Sequence, residues 1–241
     1  MIKYLTRRQK ENRRRILEIS HKYKLSHLGS CLSVVDLIDA IYRTKKKEEK
    51  FILSAGHGGV ALYTVLEKFG FSDAEKLFKK HGVHPNRDEV RGIHCSTGSL
   101  GQGLPIAIGM ALADKNRNVY CLISDGECAE GSIWESLRIA GDQKINNIKI
   151  IINANGWGAY ENILLKPLMT RIKSFNCVFE KVNGHDISQI IEILKKATKS
   201  KPLVVFAKTS SDALPFLKGQ DAHYYIMSKQ DYLLSQKLFK Y

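Results

Sequence analysis

Five short runs along the chain are rich in apolar or β-branched residues: 51–54 (FILS), 119–124 (VYCLIS), 148–153 (IKIIIN), 177–182 (CVFEKV) and 203–207 (LVVFA). They lack the polar alternation of a half-solvated strand, which predicts parallel strands buried on both faces. Between them, helical patterns span about 58–69, 100–114, 131–143 and 188–199. The first 45 residues predict two further helices, about 8–23 and 33–43, packed outside the sheet, and the tail predicts another at about 229–239. Strands alternating with helices predict an α/β fold, a three-layer α/β/α sandwich on a doubly wound, mainly parallel sheet. No repeat, low-complexity tract or Pro/Gly/Ser linker interrupts the chain, so residues 1–241 are expected to form a single domain.

Composition narrows the function classes. At 241 residues, one α/β domain can bury a full core. With 44% apolar and 26% charged residues the chain is not expected to be disordered. No apolar run approaches the ~20 residues of a membrane helix. The start, MIKYLTRRQKENRRR, lacks the apolar core and cleavage site of a secretory signal. The expectation is a cytoplasmic protein with no membrane association. The five cysteines are odd in number and contain no CxxC pair, which predicts reduced, buried or incidental thiols rather than a zinc or redox motif. Net charge is +14, with residues 1–50 holding 14 Lys/Arg against 6 Asp/Glu. Charge alone would suit a nucleic-acid surface, but few aromatics lie among these basic residues to stack bases. A solvated helix face and no nucleic-acid partner is the expectation.

In open α/β sheets ligands bind beyond the carboxyl ends of the strands. Three predicted strand ends carry polar residues and glycines: Ala55-Gly56-His57-Gly58-Gly59, Ser124-Asp125-Gly126-Glu127 and Asn153-Ala154-Asn155-Gly156. Asp125 and Asn155 are one strand–helix–strand crossover apart, so the two ends can lie side by side. A carboxylate beside an amide oxygen suits magnesium or calcium, with phosphate oxygens and water completing the shell, and Gly126 would let backbone approach the phosphates. The plainer alternative is a helix N-cap for Asp125 and a turn residue for Asn155. The loop Thr97-Gly98-Ser99-Leu100-Gly101-Gln102-Gly103 opens an apolar helix and can present amides to an anion. His27, His57, His81, His84, His94, His185 and His223 fall in loop-like contexts, and His21 falls on the first helix. Such histidines can supply hydrogen bonds and proton transfer near neutral pH. Glu130 and Glu135 flank the start of helix 131–143, where acidic residues favour the helix dipole; a carboxylate near an interface is the alternative.

The run SDGECAEGSIWES resembles the thiamine-diphosphate motif of transketolases, which begins GDGE, continues EG-x-x-WE and ends in an asparagine matched by Asn155. SHLGSCLS, LSAGHGGVALY, VHPNRDEVRG, STGSLGQGLPIAIGMALA, NGHDI and KPLVVFAKT match further in transketolase order, from about residue 8 to 232. The resemblance covers only the diphosphate-binding domain. It implies a thiamine-diphosphate-binding fold and the N-terminal subunit of a split transketolase. Such a subunit moves a two-carbon ketol unit between sugars or sugar phosphates. Its partner is a C-terminal subunit carrying the pyrimidine-binding and C-terminal domains, in a heterotetramer, and the chain alone would be inactive. Carried over by position, Asp125, Asn155 and the carbonyl of Trp157 match metal ligands for Mg2+ or Ca2+. Gly98, Ser99, Leu100, Gly126, Glu127 and Asn155, with His57 and His223, match cofactor-binding positions. His27, His57, His84 and His223 match histidines at the reacting centre, and Glu130 and Glu135 match interface carboxylates. The chain departs from the pattern at Ser124 (for glycine), Leu28 (for proline), Asn153 and Trp157, and in 210–215, which replaces a KGKG loop. These departures point to a specialised sugar substrate or, alternatively, a non-catalytic scaffold subunit.

Overall fold

The computed structural model describes residues 5–219 and 221–240. Its strands are β1 (Lys50–Leu53), β2 (Val119–Ser124), β3 (Ile148–Ala154), β4 (Val178–Asn183) and β5 (Leu203–Lys208), paired in parallel throughout in the order β1-β2-β3-β5-β4. Its helices are α1 (Arg7–Lys22), α2 (Leu28–Thr44), α3 (Gly59–Lys68), α4 (Ala74–His81), α5 (Gly103–Ala113), α6 (Gly131–Asp142), α7 (Leu165–Lys173), α8 (Ile187–Lys195), α9 (Asp221–Tyr224) and α10 (Lys229–Leu238).

Successive strand residues point to opposite faces, and both faces are covered. Phe51, Leu53, Leu122, Ile151 and Val205 pack into a core with α1, α2, α3 and α8. Ile52, Ile123, Ile150, Ile152 and Phe206 pack into a second core with α5, α6 and α7. This is the three-layer α/β/α architecture expected. The exception is β4. Its composition predicts burial on both faces, but it is one of the sheet's two edges and only Val182 of it is buried, whereas β1, the other edge, stays covered by both cores. Its charged Glu180 and Lys181 discourage pairing with another chain.

The connections explain where a ligand can enter. From β1 to β4 the chain advances in one direction, with α5, α6 and α7 on one face. From β4 to β5 it steps back, and a right-handed crossover then requires α8 on the other face. That reversal opens a crevice above the carboxyl ends of β3 and β5, the usual ligand position in such sheets.

Several elements differ from expectation. Helix α2 begins at Leu28, not near 33. The small, polar HLGSCLS stretch is helical because it packs closely: a Cβ on Gly29 would lie 2.9 Å from the Ala222 Cβ. Helix α4 was not anticipated, although Asp73 caps it by accepting from Lys76 N at 2.9 Å. Nor was α7, whose Pro167 sits in the first turn, where its missing N–H costs nothing. Helix α5 starts only at Gly103, leaving the glycine segment before it as a loop.

The basic N-terminal segment is not a free solvated face. Arg8 donates to Asp39 at 2.7 Å, Arg15 to Glu67 and Asp73 at 3.0 Å, and Lys22 to Glu75 at 2.9 Å. Much of the positive charge on α1 therefore ties α2, α3 and α4 together. The five cysteines are free; Cys31, Cys121 and Cys128 are buried, which pushes their thiols up and keeps them unreactive. Among the described residues no helix is long and apolar enough to cross a membrane.

Candidate active site

Asp125 follows β2 directly, and its side chain is almost fully buried. One carboxylate oxygen accepts from Gly126 N at 3.0 Å and the other from Gly156 N at 2.6 Å. Among the described residues it enters no ion pair. Burial pushes its carboxyl up to about 7, against the pull of those amides. Asn155, just past β3, accepts from Trp157 N at 2.8 Å. Gly156 then turns the chain with φ +86, and the loop closes where Ile163 N donates to Gly156 O at 2.8 Å. The plainer roles, cap and turn, are thus both present, yet they leave a buried carboxylate without a counter-charge.

A Cβ on Gly126 would lie 3.5 Å from Gly158 Cα and 3.9 Å from Trp157 O, so the Trp157 carbonyl sits on the Asp125–Gly126 side. One carboxylate, one amide oxygen and one carbonyl form a hard-oxygen set of single negative charge, which fits magnesium or calcium. The described residues contain no cluster of three His, Cys, Asp or Glu side chains suited to a metal. The oxygen set is of a different kind, since two of its members are neutral oxygens.

Glu127 was expected to bind cofactor. The structure buries it, and there it joins three segments. Its carboxylate accepts from Ser54 Oγ at 2.5 Å, Ser124 N at 2.9 Å and Gly101 N at 3.0 Å. Burial raises its carboxyl, and these donors oppose the rise. Ser54 Oγ in turn accepts from Gly103 N at 3.1 Å, so hydrogen bonds tie the ends of β1 and β2 to the glycine loop.

The four histidines expected at the reacting centre converge. The His27 ring lies 5.1 Å from His223, 5.8 Å from His57 and 6.4 Å from His84 between centroids, and His57 lies 5.4 Å from His223. His27 takes a left-handed backbone, φ +62, and its N–H donates to His223 O at 2.7 Å. Gly98, at φ +147, is stacked so close to His84 that a Cβ would lie 3.1 Å from its ring. A Cβ on Gly56 would lie 2.7 Å from Gly98 N, so the His57 loop and the glycine loop also touch. Burial first, and the neighbouring imidazoles second, push His57 down to about 3 and His27 down to about 4. Burial also lowers His223. At neutral pH these three rings are uncharged and can both donate and accept. The other histidines lie apart. His81 sits in the last turn of α4, 3.4 Å from Asp88, rather than in a loop. His94 is buried, with Nδ1 3.0 Å from Phe51 O, and His21 stacks on Tyr232.

A cleft of about 610 Å3 opens beside Asp125 and Gly126, walled by Leu100, Glu130, Trp134 and Tyr160 among others. Ser99 is exposed on the glycine loop. Glu130 is exposed at the start of α6. Glu135 is exposed and pairs with Arg138 at 2.7 Å, an ordinary helix-face ion pair.

The departures from the motif have local explanations. Ser124 is extended in β2, and its Oγ accepts from Glu127 N at 3.2 Å. Asn153 donates to Ser33 Oγ at 3.0 Å and accepts from Thr209 Oγ1 at 2.5 Å, which a carboxylate could not do at both ends. The Trp157 ring lies against Gly219, where a Cβ would be 3.2 Å away. Two site residues, Ser54 and Tyr224, were not anticipated, and Thr97 was named only as part of the glycine loop. Ser54 ends the predicted first strand and was open to the strand-end rule. Thr97 Oγ1 is buried without a partner beside Gly98. Tyr224 OH donates to Ala159 O at 3.0 Å, and no sequence signal marked it.

Comparison with known proteins gives a consistent picture. The family model described as transketolase, thiamine diphosphate binding domain, matches residues 7–223. The chain is 31% identical to an apulose-4-phosphate transketolase subunit from Phocaeicola vulgatus, covering 90% of this chain and 87% of that protein. It is 30% identical to the 6-deoxy-6-sulfo-D-fructose transketolase subunit SqwG from a Clostridium species, covering 88% and 84%. Human transketolase is 30% identical over 76% of this chain, but only 33% of the human protein is spanned. Among solved structures, Campylobacter jejuni transketolase superposes with a TM-score of 0.83 at 23% identity, covering 97% of this chain and 42% of that one.

Proposed function

The chain belongs to the transketolase family, in its thiamine-diphosphate-binding part, and from this premise we propose that it is the N-terminal subunit of a split, thiamine-diphosphate-dependent transketolase. Its partner would be a C-terminal subunit carrying the pyrimidine-binding and C-terminal domains, assembled as a heterotetramer in the cytoplasm. Two similar proteins of comparable length are named as transketolase subunits rather than as whole transketolases, which supports a two-chain enzyme.

The observation that carries this reading is Asp125, a buried carboxylate without a counter-charge among the described residues, at a cleft lined by Leu100 of the glycine loop, the loop whose Gly98 packs on His84 of the histidine cluster. Asp125, Asn155 Oδ1 and Trp157 O would hold Mg2+ or Ca2+. Gly98, Leu100 and Gly126 would shape the edge for the cofactor. When bound, thiamine diphosphate supplies a carbon nucleophile that breaks and forms the carbon–carbon bond beside a ketose carbonyl. The chain's own residues bind, orient and exchange protons. His27, His57, His84 and His223 present ring nitrogens that can hold sugar hydroxyls and pass protons to them. The rim residues Glu130 and Glu135 would face the partner assembly. The convergent histidines and the uncompensated carboxylate favour this over a non-catalytic scaffold, which has no need of either.

Residues 210–215 lie where the family carries a lysine loop, and two similar proteins are named for unusual sugars. Both support a specialised ketol transfer. The purified chain, alone and with its partner, is to be assayed with thiamine diphosphate, magnesium, a ketose donor and an aldose acceptor. Turnover is expected only with the partner. Turnover by the chain alone would contradict the split enzyme, and a pair that neither turns over nor binds cofactor would favour the scaffold. High activity on xylulose 5-phosphate with ribose 5-phosphate would contradict specialisation.

A further inference from the structure

A dry chain of charged and polar groups runs from α1 to the segment that covers the histidines. Arg13 donates to both oxygens of Asp36, at 2.9 and 2.6 Å, and neither side chain is exposed. His185, in the turn after β4, has its Nδ1 2.8 Å from Asp36 Oδ2. On the far side of the ring, Ser210 N donates to His185 Nε2 at 3.2 Å. With Nε2 accepting, the ring proton lies on Nδ1 and points at Asp36, which fixes the tautomer. Gln9 Nε2 donates to His185 O at 3.0 Å and holds the backbone from behind.

Ser210 begins the strap of residues 209–219 that leaves β5. Thr209 is tied to Asn153, and Gly219 rests on the Trp157 ring. The short helix α9 follows, with His223 O accepting from His27 N. We propose that His185 is a positioning residue: through the Ser210 amide it sets the strap that seats Trp157 and carries His223 into the histidine cluster. The proposal rests on the functional reading above only in treating that cluster as the site of sugar chemistry.

The decisive variant is His185→Asn. A shorter amide can still donate to Asp36, which keeps the buried ion pair satisfied, but it has no atom in reach of the Ser210 amide. In the full chain, hydrogen exchange at residues 210–212 is expected to speed up about tenfold. Tm is expected to fall by no more than about 4 °C. His185→Gln, whose longer amide can accept from Ser210 N, is expected to return exchange to near the wild-type rate. With the partner subunit present, His185→Asn is expected to lower kcat about tenfold or more, because misplaced reacting groups are costly. Its half-saturation by thiamine diphosphate should rise by a smaller factor than kcat falls, as Asp125, Asn155 and Gly126 lie on other loops and only Trp157 and His223 are reached through the strap. Unchanged exchange at 210–212, or cofactor affinity lost in step with kcat, would overturn the proposal. If the wild-type pair shows no ketol transfer, the functional reading fails, and the exchange measurement still decides whether His185 sets the strap.

Discussion

Two aspartates are buried equally deeply in this fold and live differently. Asp36, in the middle of α2, would be raised by burial, but Arg13 beside it and the hydrogen bond to His185 hold it below its usual range. Asp125, at the end of β2, has among the described residues only backbone N–H groups as partners and is pushed up to about 7. Asp36 is compensated within the chain, so its charge serves the fold. Asp125 is not, and burial favours its protonated form until a cation is supplied. The contrast separates a carboxylate paired inside the fold from one that burial leaves to keep its proton or to take a partner the described residues do not supply.

The largest expected effect comes from breaking the compensated side. Arg13→Met leaves Asp36 buried and unpaired, and should cost about 3–5 kcal/mol in urea unfolding. A loss below about 1 kcal/mol would show that Arg13 does not carry the compensation.

The uncompensated side should behave in the opposite way. Between pH 4 and 7 the folded chain keeps the Asp125 proton while the unfolded chain, near its ordinary 3.8, has lost it. Without cation and cofactor, wild type should therefore lose stability against Asp125→Asn as pH rises, by a few kcal/mol at pH 8. A flat difference across pH 4 to 8 would place Asp125 with Asp36. The histidine cluster has the reverse sign. His57 stays neutral in the folded chain down to about 3, so wild type should lose stability against His57→Asn as pH falls below 6.5, by about 2 kcal/mol at pH 5. The smallest effect is at Ser124. Ser124→Gly removes the acceptor for Glu127 N and should cost about 0.5–1 kcal/mol while leaving cofactor affinity unchanged. A gain in affinity would make Ser124 an obstacle to the cofactor.

What was legible in the chain follows the same division. The runs FILS, VYCLIS, IKIIIN and LVVFA are apolar because both faces of their strands are covered, and that burial shows in local composition. Both β1 and β4 are edges, yet only β4 is left largely uncovered, and how far the flanking helices reach over an edge is not carried by local composition, so β4 reads as interior. Asp125 and Asn155 were legible because each ends a strand one crossover from the other. The part Glu127 plays within the fold was not legible, because motif adjacency does not show that its carboxylate reaches Ser54 and Gly101. The basic N-terminus reads as solvated because its partners, Asp39, Glu67, Asp73 and Glu75, are distant in sequence. His185 reads as a plain loop histidine for the same reason: Asp36 and Ser210 reach it only through the fold.

The most direct test is a calorimetric titration of thiamine diphosphate into the chain with its partner subunit, run with magnesium and again with the metal chelated. The account predicts binding that requires the metal in wild type and is lost in Asp125→Asn. Equal binding without metal, or undiminished binding by the variant, would contradict it.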